Sequence, residues 1–578
     1  PGSLAVGMRK ANDFLMALQL TGANKMSHMA NLQVQLPALV IGGGLTAVDT
    51  ATEVQAYYLL QIEKVLKRYE ALAEDTSQSA VMAHFRGVDA PILQAWLEHA
   101  RELREERMLA LQESRQADLI KLLRSWGGVS IVYRKTIQES PAYKLNHEEL
   151  IQALEEGIFY LPELEPVRAM CDENGHIVSL LCQQRIREDH PSSKTATTRE
   201  LFAKNIFVAT GAKPNVAYGF EHAGTFDRNR YEYMAFQDQA GKLQPFSQEG
   251  HCKDAFGAFT SYDKDNKRVS FLGDTHPMFH GSVVKAIASA KRSYPAILAS
   301  LTSSESKSHY ADFAKNIADT FSATVVSSRP LNAGLEELVI RAPAAAYHFK
   351  PGHFYRLQTW EKSASWINGT CLQSDGLALL GGKVNQSDGT LTFVVPLRHK
   401  RQSESKSLRK SLPAGLLSPL SSGESVSLMG PTGVRMKVPE NPENILMLCG
   451  VMSIAFAVSY GEKVRAAGSQ FYVAIKLSEG ESPYYLETLH QHTDGFVMVK
   501  NATEMQDVRA WFEADCHFDE LNRVIIHGGA PCVKVWRNWL SVYREGLRKD
   551  VVCIASAYGP RQGMLKGVCT QCLQWQID

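Results

Sequence analysis

The sequence predicts an α/β and β protein, in which a small antiparallel β-barrel stands between two α/β domains. At residues 38–50 an apolar strand runs into a glycine-rich turn and then into a helical pattern, which is typical of a parallel sheet with helices on its faces. Between residues 323 and 429, short β-rich segments are bounded by Gly, Pro or Asn, as expected of a barrel. From Asn444 onward, apolar strands alternate with helices again.

Length and composition restrict the possible functions. The 578 residues are enough for three or four domains of about 150 residues each. Because Lys plus Arg number 62 and Asp plus Glu 61, no broad polyanion-binding surface and no nucleic-acid partner are expected. No apolar run approaches the ~18 residues of a membrane span, and the start lacks a signal-peptide layout. Ten scattered cysteines, mostly in apolar settings, predict reduced thiols and a cytoplasmic location.

The first motif is the turn Gly42-x-Gly44-x-x-Ala47, which follows the strand at residues 38–41. In a dinucleotide-binding turn of the Rossmann type, Gly42 allows the tight turn and Gly44 lets the backbone approach a pyrophosphate. Ala47 lets helix and strand pack closely, and the helix amides face the phosphates. The alternative is a plain glycine-rich turn of an α/β domain.

The second motif lies at the end of the next predicted strand, residues 129–133, where Arg134 and Lys135 follow. A binder of NADH usually has an acidic residue here for the ribose hydroxyls. Arg134 can bind a 2′-phosphate with two hydrogen bonds and Lys135 can add a point charge, so the sequence favours NADPH. The alternative is a solvated basic strand end.

The chain between these two motifs is longer than in a simple Rossmann unit, which predicts an insertion at residues 53–127. Apolar residues recur there at helical spacing with charged residues between them. We expect a long helical hairpin that is broken around Gly87 to Pro91. It is either a self-packed surface decoration or a docking arm or lid over NADPH.

Two further landmarks follow in order: the turn that contains Gly211, in Ala-Thr-Gly-x-x-Pro, and the strand end Gly273-Asp274 before a helical run. With Asn12 to Leu15, the Gly42 turn, Arg134-Lys135 and residues 141–157, they make residues 1–300 resemble the small-subunit module of glutamate synthase. The resemblance implies that Gly211, Gly273 and Asp274 lie towards FAD and that Asp274 accepts a hydrogen bond from the flavin ribityl chain. It also implies that the FAD pyrophosphate-binding half precedes residue 1, in a longer protein or another subunit.

Residues 323–578 resemble the electron-transfer subunit of dihydroorotate dehydrogenase and its ferredoxin-reductase-like relatives. The resemblance rests on residues 351–354 (Pro-Gly-His-Phe), 429–433 (Met-Gly-Pro-Thr-Gly) and the closing segment with Cys569 and Cys572. The expected fold is therefore a Rossmann-type two-dinucleotide-binding domain with a helical hairpin insertion, then a ferredoxin-reductase-like β-barrel and an α/β nucleotide-binding-like domain.

The resemblances predict six segments. They are a remnant of the FAD-domain half (1–35), an NADPH-binding domain (36–212), a returning FAD-domain segment (213–302), a linker (303–322), the barrel (323–438) and the C-terminal α/β domain (439–578).

The C-terminal half departs from its relatives in three places. Val451 and Met452 stand where a phosphate-binding loop needs glycines. Residues 375–383 lack the Arg and the hydroxyl of the relatives' flavin strand. Gly563 stands where the first cysteine of a [2Fe-2S] cluster is expected, and the sequence stops before the fourth. Two thiolates cannot hold that cluster alone, so a complete cluster is not predicted. A second flavin is not predicted either, because its strand lacks the Arg and the hydroxyl.

Cys569 and Cys572 leave several interpretations open. They could be half of an iron–sulfur site, a zinc half-site that another chain completes, a redox dithiol or an inert remnant.

The sequence therefore predicts an NADPH-dependent flavoprotein oxidoreductase module with NADPH and FAD as cofactors. It would pass electrons to a partner subunit or an upstream domain. Orientation of the nicotinamide against the flavin, more than acid–base side chains, would carry the hydride transfer, so no catalytic side chain is predicted. The alternative is a non-catalytic structural or regulatory subunit built on a degenerate reductase scaffold.

Overall fold

The structure of the protein is a computed structural model. The chain divides into two compact units. The structure describes residues 5–85, 87–184, 197–211, 214, 216–229, 232–246, 256–265, 267–280, 283–301, 309–332, 335–364, 366–373, 377–396, 420–433, 435–478, 480–515 and 518–557. The N-terminal unit consists of the described residues from 5 to 301 together with Trp366–Cys371. The C-terminal unit consists of those from 309 to 364 and from 372 to 557.

The N-terminal unit contains helices and strands in mixed order. They are β1 (Met8–Lys10), α1 (Ala11–Leu20), β2 (Ala38–Ile41), α2 (Leu45–Asp75), α3 (Gln78–Met82), α4 (Asp89–Gln112), α5 (Leu119–Ser125), β3 (Val129–Val132), α6 (Pro141–Glu155), β4 (Phe159–Leu161), β5 (Leu164–Cys171), β6 (Ile177–Gln184), β7 (Thr198–Phe202), β8 (Asn205–Val208), α7 (Ala217–Glu221), β9 (Phe236–Gln239), β10 (Lys242–Pro245), β11 (Phe259–Lys264), β12 (Lys267–Ser270) and α8 (Val283–Leu301).

A five-stranded parallel sheet in the order β1-β8-β2-β3-β4 organises this unit. Its central strand β2 reads Ala-Leu-Val-Ile, with three of the four residues buried. A nearly continuous apolar run is what a parallel strand needs when both of its faces are covered. The predicted α/β domain is therefore confirmed as a parallel sheet, while the predicted domain boundaries stay predictions.

Two antiparallel sheets accompany the parallel one, in the orders β5-β6-β7 and β10-β9-β11-β12. The strand predicted to run to Asp274 ends at Ser270, because β12 pairs antiparallel with β11 only over residues 267–270. Gly273–Thr275 forms a 3-10 turn. The helical run predicted after Gly273-Asp274 is α8, which extends to Leu301.

The predicted helical insertion consists mainly of α2 and α4, which pack on each other. At 1.5 Å per residue, the 31-residue α2 is about 46 Å long. The break between the two long helices runs from Asp75 to Asp89 and contains α3, so it begins earlier than predicted. The second predicted helix is also divided, because Asp118 accepts a hydrogen bond from the Lys121 N–H (3.0 Å) and caps a separate α5.

The outer part of α2 binds the backbone of the segment at residues 23–34 with four polar side chains at helical spacing. The hydrogen bonds are Leu32 N–H to Tyr57 Oη (2.9 Å), Gln61 to both the N–H and the carbonyl of Val34 (2.8 Å each), Lys64 Nζ to the carbonyls of Ala23 (2.9 Å) and Ala30 (3.1 Å), and Arg68 to the carbonyl of His28 (2.5 Å). We call these four residues of α2 the polar ladder. It holds a segment that contains no helix or extended strand, and in which His28 forms an isolated parallel bridge with Cys371.

The C-terminal unit begins with a helix and strands of a barrel and ends with an α/β domain. The elements are α9 (Tyr310–Phe321), β13 (Ala323–Asn332), β14 (Leu335–Arg341), α10 (Pro343–Tyr347), β15 (Phe354–Thr359), then β16 (Trp366–Ile367) and β17 (Thr370–Cys371) of the N-terminal unit, β18 (Leu377–Asn385), β19 (Thr390–Pro396), β20 (Ser425–Thr432), β21 (Asn444–Gly450), α11 (Ile454–Ala466), β22 (Gln470–Lys476), α12 (Leu486–His492), β23 (Gly495–Val499), α13 (Ala502–Asp515), β24 (Arg523–Gly528), α14 (Ala530–Val542) and β25 (Val552–Ala557).

The predicted barrel is confirmed as a closed barrel in the order β13-β14-β19-β18-β15-β20. A parallel sheet follows in the order β23-β22-β21-β24-β25, which confirms the second alternation of strands and helices. Of the predicted linker, residues 310–321 form α9. Across the described residues, none of the helices combines the length and the apolar character that a membrane span requires. The cytoplasmic location stays a prediction.

Candidate functional site

Three adjacent parallel strands of the N-terminal unit end at one edge of the sheet. Ile41 at the end of β2 pairs with Val132 at the end of β3 and with Val208 at the end of β8. The chain leaves β2 towards β3 and β4 on one side and returns through β8 on the other side. This reversal is a topological switch point, and ligands of open α/β sheets bind outside the carboxyl ends of the strands at such a point. The Gly42 turn, Arg134-Lys135 and Gly211 all follow these three strand ends.

Gly42 and Gly43 are required by packing inside the protein. A Cβ on Gly42 would lie 3.0 Å from the carbonyl carbon of Ala209 and closer still to its oxygen. A Cβ on Gly43 would lie 2.5 Å from Cδ2 of Tyr133, whose ring fills that side of the turn. The Gly43 carbonyl also accepts a hydrogen bond from the Ala142 N–H at the start of α6 (2.9 Å). The turn is therefore held by β8, β3 and α6 together.

Gly44 differs from both neighbours because no atom lies within 4 Å of the position that its Cβ would occupy. Its φ of −95° and ψ of 172° are accessible to any residue. Gly44 is the N-cap of α2, and the helix has no side-chain cap there. Ala47, one turn into α2, is fully buried against the sheet. The N-terminus of α2, with its partial positive charge, therefore faces open space over a backbone without side chains.

Arg134 and Lys135 lie in the loop directly after β3. Arg134 is exposed and Lys135 is partly exposed, with its Nζ 3.8 Å from a carboxylate oxygen of Glu139. The other Glu139 oxygen accepts hydrogen bonds from the N–H (3.1 Å) and the hydroxyl (3.0 Å) of Thr136. The Lys135 carbonyl accepts the N–H of Glu163 (3.1 Å). The loop is thus fixed at both ends, and the two cations stand at the same edge of the sheet as the Gly42 turn.

Gly211 follows β8 and shares this edge. Its φ of +103° lies in the region that favours glycine, and no atom lies within 4 Å of its Cβ position. Residues 212 and 213 of the same turn lie outside the described residues.

Gly273 and Asp274 lie on a different sheet, after β12. The Gly273 N–H donates to Ser289 Oγ of α8 (2.8 Å), and the Asp274 side chain is exposed. Of the eight predicted cofactor residues, five therefore lie at the Gly42 edge of the sheet, with Ala47 buried behind them: Gly42, Gly44, Arg134, Lys135 and Gly211. Gly273 and Asp274 form a second group beside α8.

Cys569 and Cys572 lie outside the described residues. Within the described ranges, no group of three or more His, Cys, Asp or Glu side chains is arranged to hold a metal ion. The six described cysteines, residues 171, 182, 371, 449, 532 and 553, are free thiols.

Sequence reasoning did not identify Tyr133, Glu139 and Ala142 as parts of this site. Tyr133 supports Gly43, Glu139 pairs with Lys135, and Ala142 binds the turn. A signal for Tyr133 was present: the motif leaves the middle glycine unexplained, and an aromatic residue at the adjacent strand end accounts for it.

No protein-family model matches the chain. The chain is 29% identical over 451 residues to an uncharacterized protein of Rickettsia prowazekii (strain Madrid E). That match covers 77% of this chain and 53% of the relative, so the chain spans about half the length of the curated relative it matches.

Several solved structures are similar to part of the chain. An NADH-dependent reduced ferredoxin-NADP oxidoreductase is 14% identical, covers 43% of this chain and 80% of its own, and has a TM-score of 0.32. The ferredoxin reductase in carbazole 1,9a-dioxygenase is 17% identical, with 41% and 67% covered and a TM-score of 0.30. Ferredoxin-NADP+ reductase from Plasmodium falciparum is 12% identical, with 41% and 96% covered and a TM-score of 0.29. Similarities at this level do not establish an activity.

Proposed function

We propose that this chain binds NADPH at the Gly42 turn and acts as a flavoprotein oxidoreductase module. It passes electrons between NADPH, FAD and a partner domain or subunit, in the manner of the small subunit of glutamate synthase. The observation that carries the proposal is Gly44. It has ordinary backbone angles and free space around its Cβ position, so neither conformation nor packing requires glycine there. Approach of a pyrophosphate to the backbone does require it.

The two cations after β3 support NADPH over NADH. Arg134 can form two parallel hydrogen bonds to a 2′-phosphate, and Lys135 adds a second positive charge. Glu139 is close enough to Lys135 to orient it, while Arg134 remains exposed. A 2′-phosphate beside these two side chains is the expected ligand of this loop.

FAD enters the proposal through Gly211, Gly273 and Asp274, the positions that match the glutamate-synthase pattern. Bound flavin would supply the hydride acceptor for the nicotinamide. The free space and the positive φ at Gly211 allow close approach of a ligand to its backbone. The exposed Asp274 carboxylate is suited to accept a hydrogen bond from a hydroxyl group.

The test is calorimetric titration of NADPH and of NADH into the full chain. We expect the wild-type chain to prefer NADPH at least tenfold, about 1.4 kcal/mol. The double variant Arg134→Ala/Lys135→Ala should lose that preference and keep weak binding of both nucleotides. Gly44→Asp should abolish binding of both, because its carboxylate repels the pyrophosphate. Lys67→Ala/Arg101→Ala removes two exposed cations from the helical insertion and is the charge-matched control.

Two results would contradict the proposal. One is the absence of binding of either nucleotide, also after FAD has been added. The other is an NADPH preference that survives in the Arg134→Ala/Lys135→Ala variant.

A further inference from the structure

The C-terminal sheet has a switch point of its own, between β21 and β24. The chain leaves β21 through α11 to β22 on one side, and leaves β24 through α14 to β25 on the other side. A nucleotide in a doubly wound sheet would lie between these strand ends. The residues there are Gly450, the last residue of β21, Gly528, the last residue of β24, and Gly529, which follows it.

The thiol of Cys532 fills this crevice. A Cβ on Gly450 would lie 3.2 Å from Cys532 Sγ, and a Cβ on Gly528 would lie 2.8 Å from the same atom. Cys532 stands in the first turn of α14 and is partly buried, and burial raises the pKa of its thiol to about 11. The Cys532 side chain therefore leaves no room for a Cβ at position 450 or 528. At position 44, by contrast, no atom of the described chain excludes a Cβ.

The N-terminus of α11 is also already in contact with side chains of the chain itself. The Tyr484 hydroxyl accepts the N–H of Ala455 (3.3 Å) and donates to the carbonyl of Met452 (3.3 Å). Next to it, Ser453 Oγ lies 2.8 Å from Nδ1 of His527 and donates to the carbonyl of His527 (3.1 Å). Ser453 and His527 are both buried, and burial lowers the pKa of His527 to about 3. One amide N–H of this helix end, that of Ala455, and the adjacent Ser453 hydroxyl therefore already have partners within the chain.

The second resemblance assigns the flavin contacts to strand β18, and a side chain of α11 packs against this strand. A Cβ on Gly382 of β18 would lie 2.8 Å from Cβ of Ala455 in α11. Leu335 and Val394 of the barrel share one buried core with Val451 and Ile454. At these positions, protein side chains fill the space beside β18 that a flavin ring would need.

We infer that the crevice of the C-terminal α/β domain is occupied by the chain's own side chains and binds no dinucleotide. The chain then carries a single NADPH, at the Gly42 turn, and none in the crevice between β21 and β24. The expected stoichiometry of one NADPH per chain rests on the proposed function, whereas the closed crevice of the C-terminal α/β domain does not.

The test combines calorimetric stoichiometry with amide hydrogen exchange on the full chain at saturating NADPH. We expect one NADPH per chain, slower exchange at residues 42–47, and unchanged exchange at residues 450–456 and 528–532. The Gly44→Asp variant should lose the bound NADPH entirely.

A stoichiometry of two would overturn the inference, as would slower exchange at residues 450–456 that persists in Gly44→Asp. If the wild-type chain binds no NADPH and exchange at residues 450–456 does not change, the proposed function fails and the closed crevice is supported.

Discussion

Gly42 lies against the backbone of Ala209, so closely that a Cβ on Gly42 would overlap the Ala209 carbonyl group. Two residues further along, Gly44 has no atom within 4 Å of its Cβ position. The two glycines of one motif therefore have different physical reasons to be glycine. Gly42 allows two parallel strands to end side by side, and Gly44 leaves the helix N-terminus accessible to a ligand.

Alanine substitutions separate these two reasons. We expect Gly42→Ala to lower the free energy of unfolding of the N-terminal unit by about 1–3 kcal/mol, because the added methyl overlaps a backbone carbonyl. Gly44→Ala should lower this free energy by less, about 0.5–1 kcal/mol, because alanine is a poorer N-cap than glycine, and it should weaken NADPH binding. Urea unfolding, followed by circular dichroism, and calorimetric titration measure the two effects. Equal destabilisation by both substitutions would show that the turn is governed by packing alone.

The type of the cation at position 134 matters as well as its charge. We expect Arg134→Lys to weaken NADPH binding fivefold to thirtyfold, about 1–2 kcal/mol, and to leave NADH binding unchanged, because lysine keeps the charge and loses the bidentate geometry. Lys135→Arg, the matched reversal, should change NADPH affinity less. Calorimetric titration of both nucleotides into both variants measures this. A larger effect of Lys135→Arg would indicate that Lys135 is the principal contact of the 2′-phosphate.

The parts of the fold that could be predicted from sequence are those with local signals. The strand before Gly42 and the barrel strands that begin at Ala323, Leu335, Phe354 and Ser425 start where their apolar patterns start, because glycine, proline and asparagine mark their boundaries. Pairing partners are not local. Ile41 pairs with Val132 and Val208, which are far away in sequence, and no local pattern specifies that register.

Failures of prediction in the site have the same cause. The position of Tyr133 under Gly43 and the Cys532 thiol between Gly450 and Gly528 depend on elements that meet only in the folded chain. The departures at Val451 and Met452 were visible in the sequence, but the hydroxyl of Tyr484, which occupies the helix end, was not. The roles of the site residues stay predictions until ligand binding is measured.

The helical insertion is stabilised by its apolar core and only weakly by its surface ion pairs. Leu103 of α4 is fully buried against α2, and the adjacent Arg104 binds Glu70 through two exposed hydrogen bonds of 2.7 Å. We expect Leu103→Ala to lower the free energy of unfolding by about 2–5 kcal/mol. Arg104→Ala, its neighbour and control, should lower it by about 0–1 kcal/mol. Urea unfolding of both variants measures this, and a larger loss in Arg104→Ala would contradict it.

Lys64 gives the polar ladder a pH dependence. Its side chain is 3% exposed and donates to the carbonyls of Ala23 and Ala30, and burial lowers its pKa from 10.5 to about 8. Between about pH 8 and pH 10.5 the unfolded chain therefore retains the Lys64 proton while the folded protein has released it. Stability rises with pH wherever the unfolded state binds more protons, so the free energy of unfolding should rise from about pH 8 to pH 10.5 and should not depend on Lys64 titration below about pH 8.

Urea unfolding of wild type and Lys64→Met at pH 7.5, 8.5, 9.5 and 10 tests this expectation. The wild-type free energy of unfolding minus that of the variant should increase steadily with pH, because methionine keeps the apolar stem and removes the titrating group. Lys67→Met, one turn away on α2 at an exposed position, shows what the loss of a surface lysine does over the same range. A wild-type minus Lys64→Met difference that stays constant from pH 7.5 to 10 would mean that Lys64 keeps its proton in the folded chain. In that case its two carbonyl partners stabilise the ammonium group more strongly than burial destabilises it.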